Sequence, residues 1–172
     1  MDIILASQSP RRRELLGQMG LKGFKVISSD ADEHVEGNPS PAQLVEELSL
    51  RKARAVAEHA DADDIIIAAD TVVALDGAVL GKPEDERAAF AMLSALSGNR
   101  HRVYTGVTVT RGDKTVTAHE ETLVTFRELE PDEISSYIAT GEPMDKAGAY
   151  GIQGLGAMLV SGIEGDYFNV MG

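Results

Sequence analysis

No cysteine occurs among the 172 residues. That absence excludes a disulfide framework, a thiolate metal site and a cysteine nucleophile, and it fits a reducing compartment. Basic residues are also few, 16 Lys and Arg against 28 Asp and Glu, for a formal net charge of −12. A chain of that balance lacks the broad basic surface of a protein whose main partner is DNA, RNA or an anionic membrane. It leaves room for a small anionic ligand held by a local basic cluster. The sequence has no apolar run long enough to span a bilayer, and its start lacks the basic and apolar regions of a signal peptide. A cytoplasmic protein is therefore expected, and with no internal repeat and no clear linker, residues 1–172 read as a single domain.

What is present begins with Asp2-Ile3-Ile4-Leu5-Ala6-Ser7-Gln8-Ser9-Pro10-Arg11-Arg12-Arg13. A short buried strand, a polar turn and a helix follow one another here, with Ser9 placed as N-cap and Pro10 at the first helical position. Three arginines then stand where a helix dipole disfavours cations, so an anion is expected beside them. Open backbone N–H groups, serine hydroxyls and guanidinium groups together suit a phosphate. The alternative is a basic turn facing solvent.

Residues 24–27 read as a second strand, followed by an acidic loop over 28–38 carrying Asp30, Asp32, Glu33 and Glu36. Such a run is either a solvated face or, where a carboxylate enters a site, a set of hard oxygen ligands for a divalent cation. Ser40-Pro41-Ala42-Gln43 opens a helix with a capping box. Its apolar stripe runs through Leu44, Leu48 and Ala55, with Val45 and Val56 at the edges, and Lys52 falls near the middle of that stripe. Either the lysine stem packs while its ammonium reaches water, or the helix aims Lys52 into a polar cavity. Arg51 and Arg54 read as solvent residues.

Ile65-Ile66-Ile67-Ala68-Ala69 is the most apolar strand, and Asp70 follows it directly. A carboxylate in such a run needs a cation, a metal or hydrogen-bond donors. Asp76-Gly77 marks a two-residue hairpin, whose regular register sets Lys82 opposite Thr71, on the face away from Asp70, unless Gly81 bulges or Pro83 turns the chain away. Residues 84–97 form an amphipathic helix with a stripe of Ala89, Met92, Leu93 and Leu96. Residues 102–110 and 114–127 alternate as paired strands whose threonines suggest a half-exposed sheet. A short helix starts at Pro131. The glycine-rich stretch 145–156 reads as a loop that a ligand can approach closely, and 157–170 as two strands around Glu164-Gly165.

Five stretches in order resemble the Maf family of nucleotide pyrophosphatases: Ser7-Gln8-Ser9-Pro10-Arg11-Arg12, Glu33, Lys52, Ala69-Asp70-Thr71 with Gly81-Lys82-Pro83, and Asp145-Lys146-Ala147-Gly148-Ala149-Tyr150-Gly151-Ile152-Gln153-Gly154. The resemblance implies an α/β fold with an elongated, twisted mixed sheet, flanking helices and a central cleft, like that of inosine-triphosphate pyrophosphatases. It implies hydrolysis of a nucleoside triphosphate to the monophosphate and pyrophosphate with a divalent cation, magnesium or manganese, held by Glu33 and Asp70. Asp70, Glu33, Lys52 and Lys82 are the implied catalytic residues; Ser7, Ser9, Arg12, Arg13, Thr71 and Gln153 are the implied substrate-binding ones. The wording around Gln153 resembles the branch acting on dTTP and UTP, and Gln153 offers a donor and an acceptor to a pyrimidine edge. A homodimer is also implied. Family members usually continue past Asn169-Val170-Met171-Gly172 into a terminal helix, which this sequence does not contain. The rival readings are a non-catalytic nucleotide-sensing module, a Maf-type pyrophosphatase with another base preference, and a phosphatase releasing orthophosphate.

Overall fold

The computed structural model describes all of residues 1–172. Its seven strands are β1 (Ile3–Leu5), β2 (Lys25–Val26), β3 (Ile65–Leu75), β4 (Ala78–Leu80), β5 (Arg100–Arg111), β6 (Lys114–Phe126) and β7 (Val160–Glu164). They form one mixed sheet in the order β2-β1-β3-β5-β6-β7, with β4 paired to β3. β1 runs parallel to both β2 and β3, whereas β4 is antiparallel to β3 and β7 antiparallel to β6. The helices are α1 (Pro10–Gln18), α2 (Pro41–Ala57), α3 (Glu86–Leu96), α4 (Pro131–Ala139) and α5 (Tyr167–Met171). The expected α/β architecture with a mixed sheet and flanking helices is what the chain adopts. No helix is long and apolar enough to cross a membrane.

Two compact units divide the chain: Met1–Asp70 with Thr105–Glu120 and Gly172, and Thr71–Tyr104 with Glu121–Met171. In the first, buried Ile4, Ala6, Ile66 and Ala68 of the central strands pack on Ala53 and Val56 of α2. α2 begins with the expected capping box, in which Gln43 N–H donates to Ser40 Oγ at 3.3 Å and Ser40 N–H to Gln43 Oε1 at 3.0 Å. Its buried line runs through Val45, Leu48, Ser49, Ala53 and Val56. Val45 and Val56, expected at the edges, lie at its centre, while Leu44 and Ala55 are half-buried. The reason is the approach of α2 to β5. A Cβ on Gly106 would lie 2.3 Å from the Val45 carbonyl oxygen, so only glycine permits this spacing.

Serine and threonine complete that contact. Ser49 Oγ lies 2.9 Å from Thr108 Oγ1, which lies 2.9 Å from Thr117 Oγ1, and Thr110 and Thr115 pair in the same way at 2.8 Å. Thr108 is fully buried, whereas Val107, Val109 and Val116 are exposed. The hairpin is half-exposed as its threonines suggest, and on the turn-side half of β5 Thr108 and Thr110 lie on the covered side and Val107 and Val109 on the open one. Each hydroxyl finds a partner from a neighbouring element, which removes the cost of burying it.

In the second unit the Asp76-Gly77 hairpin forms with Val73 opposite Leu80 and Leu75 opposite Ala78. Both turn residues take positive φ, 50° and 83°, as a two-residue turn of this hand requires. α3 caps with Asp85, whose carboxylate accepts from Ala88 N–H at 2.7 Å, and buries Ala89, Leu93 and Leu96. Three rings, His101, Phe126 and Tyr150, meet edge to face at centroid separations of 4.7–5.3 Å. The glycine-rich stretch folds into short 3₁₀ turns at Glu142–Asp145, Ala147–Ala149 and Gly154–Leu159 rather than an open loop. A second strand after Glu164-Gly165 does not form. Asp166 accepts from Asn169 N–H at 2.7 Å and starts α5 instead, while the Asn169 amide donates to Val103 O and Thr122 Oγ1.

Candidate active site

β1 ends at Leu5, Ala6 and Ser7 follow it, and α1 starts at Pro10. Ser9 is the N-cap residue and Pro10 the first helical one, as expected, but the Ser9 side chain makes no capping bond. Ser7 takes the organising role: its Oγ accepts from Ser9 N–H at 3.2 Å and from Arg12 Nη1 at 3.2 Å. The same Nη1 donates at 2.7 Å to the carbonyl of Ala69, the residue before Asp70. Arg12 thus ties the start of α1 to the middle of β3. Burial pushes the Arg12 guanidinium below its ordinary range, and the nearby Asp70 carboxylate works in the opposite direction. Arg13 is exposed.

β3 continues through Asp70 without interruption, so the carboxylate stands inside the strand, next to buried Ala68, Ala69 and Val72. Its side chain is 12% exposed, and that of Lys52 is 14% exposed. Lys52 Nζ donates to Asp70 Oδ1 and sits 2.8 Å from Glu33 Oε1. Of the two readings of Lys52, the buried one describes the structure: α2 aims it inward at two carboxylates. The pair is balanced because each buried charge meets its counter-charge, the condition under which such groups are tolerated inside a protein.

Glu33 comes from the acidic loop, and the loop has its own clamp. Arg51 Nη1 donates to the carbonyl oxygens of His34 at 2.6 Å and Asp32 at 3.3 Å, while its Nε pairs with Glu47 at 2.7 Å. Read from sequence as a solvent residue, Arg51 fixes the loop on both sides of Glu33. Its signal was faint: a cation one position before Lys52, on the helix face adjoining the loop. The loop and α2 also enclose a cavity of about 550 Å³ whose lining includes Asp32, His34, Glu36, Glu47 and Arg51. Neither Lys52 nor Asp70 lines it, so this cavity is distinct from the Lys52–Asp70 pair.

Glu33 and Asp70 converge on one cationic point, and both offer hard carboxylate oxygens. That donor set fits a magnesium-like ion completed by phosphate and water oxygens, which is how such ions are usually held. No group of three or more His, Asp or Glu side chains stands together as a metal cage.

The remaining candidates, Thr71, Lys82 and Gln153, belong to the second unit. Thr71 follows Asp70 in β3 and is half-buried. The ladder of β4 ends at Leu80, and the Gly81 carbonyl instead accepts from Gly148 N–H at 3.0 Å. Lys82 therefore leaves the hairpin register that set it opposite Thr71, and it is exposed. Gln153 is half-buried at the head of the Gly154–Leu159 turn. Glu142 and Tyr137, which hold that turn, were not singled out by sequence. The spaced glycines 154 and 156 were the available signal.

These features define an α/β protein whose strand-borne carboxylate, inward lysine and arginine-bearing helix start are suited to phosphate chemistry. The family model described as "Maf-like protein" matches residues 2–172, and the chain belongs to that family. A dTTP/UTP pyrophosphatase of Moorella thermoacetica is 57% identical, over 99% of this chain and 88% of its own length. One of Symbiobacterium thermophilum is 55% identical, over 99% and 87%. Among solved structures, the Ham1 protein of Staphylococcus aureus superposes with a TM-score of 0.52 at 17% identity, over 73% of this chain and 72% of that one. A HAM1 protein from Coxiella burnetii gives 0.51 at 17%, over 73% of each. These two likenesses concern the fold.

Proposed function

We propose that this protein is a nucleoside triphosphate pyrophosphatase acting on dTTP and UTP, releasing the nucleoside monophosphate and pyrophosphate. The observation that carries the reading is the inward Lys52 joining Asp70 and Glu33, on a chain more than half identical to relatives named for this activity. A water attacks the α-phosphorus, the bond to the bridging oxygen breaks, and pyrophosphate leaves. Asp70 accepts the proton of that water, using the carboxylate oxygen that Lys52 does not engage. Lys52 orients the Asp70 carboxylate and offers its positive charge to the phosphates. Ser7 and Arg12 fix the helix start against β3; Ser9, Arg13 and Lys82 complete the grip on the triphosphate. Thr71, Arg12 and Gln153 select the base. A divalent cation, magnesium or manganese, held by Glu33 and Asp70, supplies charge neutralisation on the phosphate oxygens when bound. On this reading residues 1–172 act as one catalytic domain, the protein works in the cytoplasm as a homodimer, and nucleic acids and membranes are not its partners.

The test is incubation with magnesium or manganese and a panel of nucleoside triphosphates, following pyrophosphate and orthophosphate separately. Pyrophosphate from dTTP and UTP, abolished by Asp70→Asn with nucleotide binding retained, is the expected result. Orthophosphate as first product, or tight binding with no product from the unaltered protein, overturns it.

A further inference from the structure

Gln153 sits midway along a segment, residues 151–156, that contains three glycines. Left to itself such a segment samples many backbone states, and a side chain carried on it selects nothing. In this structure the segment is drawn closed. Tyr137 Oη accepts from Gly151 N–H at 3.3 Å and donates to Glu142 Oε1 at 2.9 Å. The same Oε1 accepts from Gly156 N–H at 3.0 Å, and Oε2 accepts from Leu155 N–H at 3.1 Å. One carboxylate and one phenol therefore hold both ends of the segment, two residues before Gln153 and two and three residues after it.

The closure admits no side chain at Gly154 or Gly156. A Cβ on Gly156 would lie 2.1 Å from the Gly151 carbonyl oxygen and 2.7 Å from Tyr137 Oη. At Gly154, where φ is +64°, a Cβ would lie 2.9 Å from Glu142 Oε2. Glu142 is itself fixed, since Lys146 Nζ donates to its carbonyl at 2.6 Å and its N–H donates to Thr140 Oγ1 at 3.2 Å. Tyr137 is buried on α4. Hydrogen bonds to an ionised acceptor are the strong ones, and here one carboxylate collects three donors.

We infer that Glu142, working with Tyr137, is a positioning residue that holds the 151–156 segment in the shape that presents Gln153 to the nucleobase. This rests on the assignment of base selection to Gln153 made above. Glu142 touches no reacting atom; its effect on selection passes through the backbone of Leu155 and Gly156.

The experiment compares the full-length protein with Glu142→Ala, Glu142→Gln and Gln153→Ala. It measures amide hydrogen exchange over 151–156, and kcat and KM for pyrophosphate release from dTTP and from dATP. Glu142→Ala is expected to speed exchange at Leu155 and Gly156 and to lower the preference for dTTP by about tenfold, mainly through KM, a factor corresponding to about 1.4 kcal/mol. Glu142→Gln keeps one oxygen for Tyr137 and Gly156 but turns an N–H toward Leu155, so a smaller change in the same direction is expected, and this variant decides the matter if the alanine variant does not fold. Unchanged exchange in the glutamine variant overturns the inference. So does faster exchange with the dTTP preference intact while Gln153→Ala loses it, an outcome that leaves the reading of Gln153 standing. A Gln153→Ala protein with unaltered preference overturns that reading and the inference together.

Discussion

Removing Lys52 and Asp70 one at a time and then together isolates the coupling at the centre of the site. Lys52→Met leaves the Asp70 carboxylate, 12% exposed, with Arg12 as its cationic neighbour. Stranding a buried charge costs about 3–5 kcal/mol, and Arg12 offsets part of it, so a loss of about 3 kcal/mol is expected. Asp70→Asn is milder, because Lys52 keeps Glu33 at 2.8 Å and that side chain is 68% exposed. Screening by solvent makes the remaining bond weak, and about 1–2 kcal/mol is expected. In the double variant neither member of the pair strands the other, so its loss should fall short of the sum by about 2 kcal/mol, within the range measured for contacting groups. Urea unfolding with linear extrapolation measures all four proteins, and unchanged m-values certify that the denatured state is common to them. Losses that add to within about 0.5 kcal/mol would refute the coupling, and with it the account of why α2 points a lysine inward.

Two further outcomes follow from features away from the Lys52–Asp70 pair. Burial holds the His101 imidazole down at about 4 against an ordinary 6.5; the unfolded chain therefore takes up this proton at higher pH than the native one. Its contribution is intact above about pH 6.5, is lost as pH falls toward about 4, and amounts to about 3 kcal/mol. His101→Gln should thus lose less stability than the unaltered protein when urea unfolding is repeated between those limits, and equal losses would refute the assignment. Gly106→Ala drives a methyl group to 2.3 Å from the Val45 carbonyl, where backbone on both sides cannot yield. A loss of about 3 kcal/mol is expected, seen as a fall in Tm of about 6–12 °C; an unchanged Tm would show that α2 and β5 are not so closely apposed.

Asp70 and Lys52 were legible from sequence because each breaks the pattern of its own element, a charge in an apolar strand and a charge on an apolar helix stripe. Glu33 was not legible by that logic. Four acids share its loop, and what singles it out is the grip of Arg51 on the His34 and Asp32 carbonyls, a set of backbone contacts without periodicity. The strand end at Leu80 was marked by Gly81 and Pro83, but the bond from Gly148 N–H that draws Gly81 away was hidden, since it comes from a segment far along the chain. Which side the threonines line was not legible, because hydroxyl-bearing residues suit a wet face or a hydrogen-bonded dry one equally well, and only the placement of Ser49 opposite Thr108 decides between them. α5 replaced an expected strand through one local carboxylate, Asp166, which the alternation of residues around it does not register.

The line of hydroxyls between α2 and β6 also has a direction. Ser49 Oγ spends its proton on the Glu46 carbonyl at 3.0 Å, so at the contact with Thr108 it can only receive. Thr108 must then donate to Ser49, and Thr117, in turn, must donate to Thr108. All three protons point the same way, toward the helix. The three positions are therefore unequal: losing the hydroxyl of Thr117 removes a donor and leaves Thr108 still delivering its proton, whereas losing that of Thr108 deprives one neighbour of a donor and the other of an acceptor. The polarity ends one helical turn before Lys52, making the central threonine, rather than either end of the line, the link through which the hairpin steadies the helix that carries the lysine.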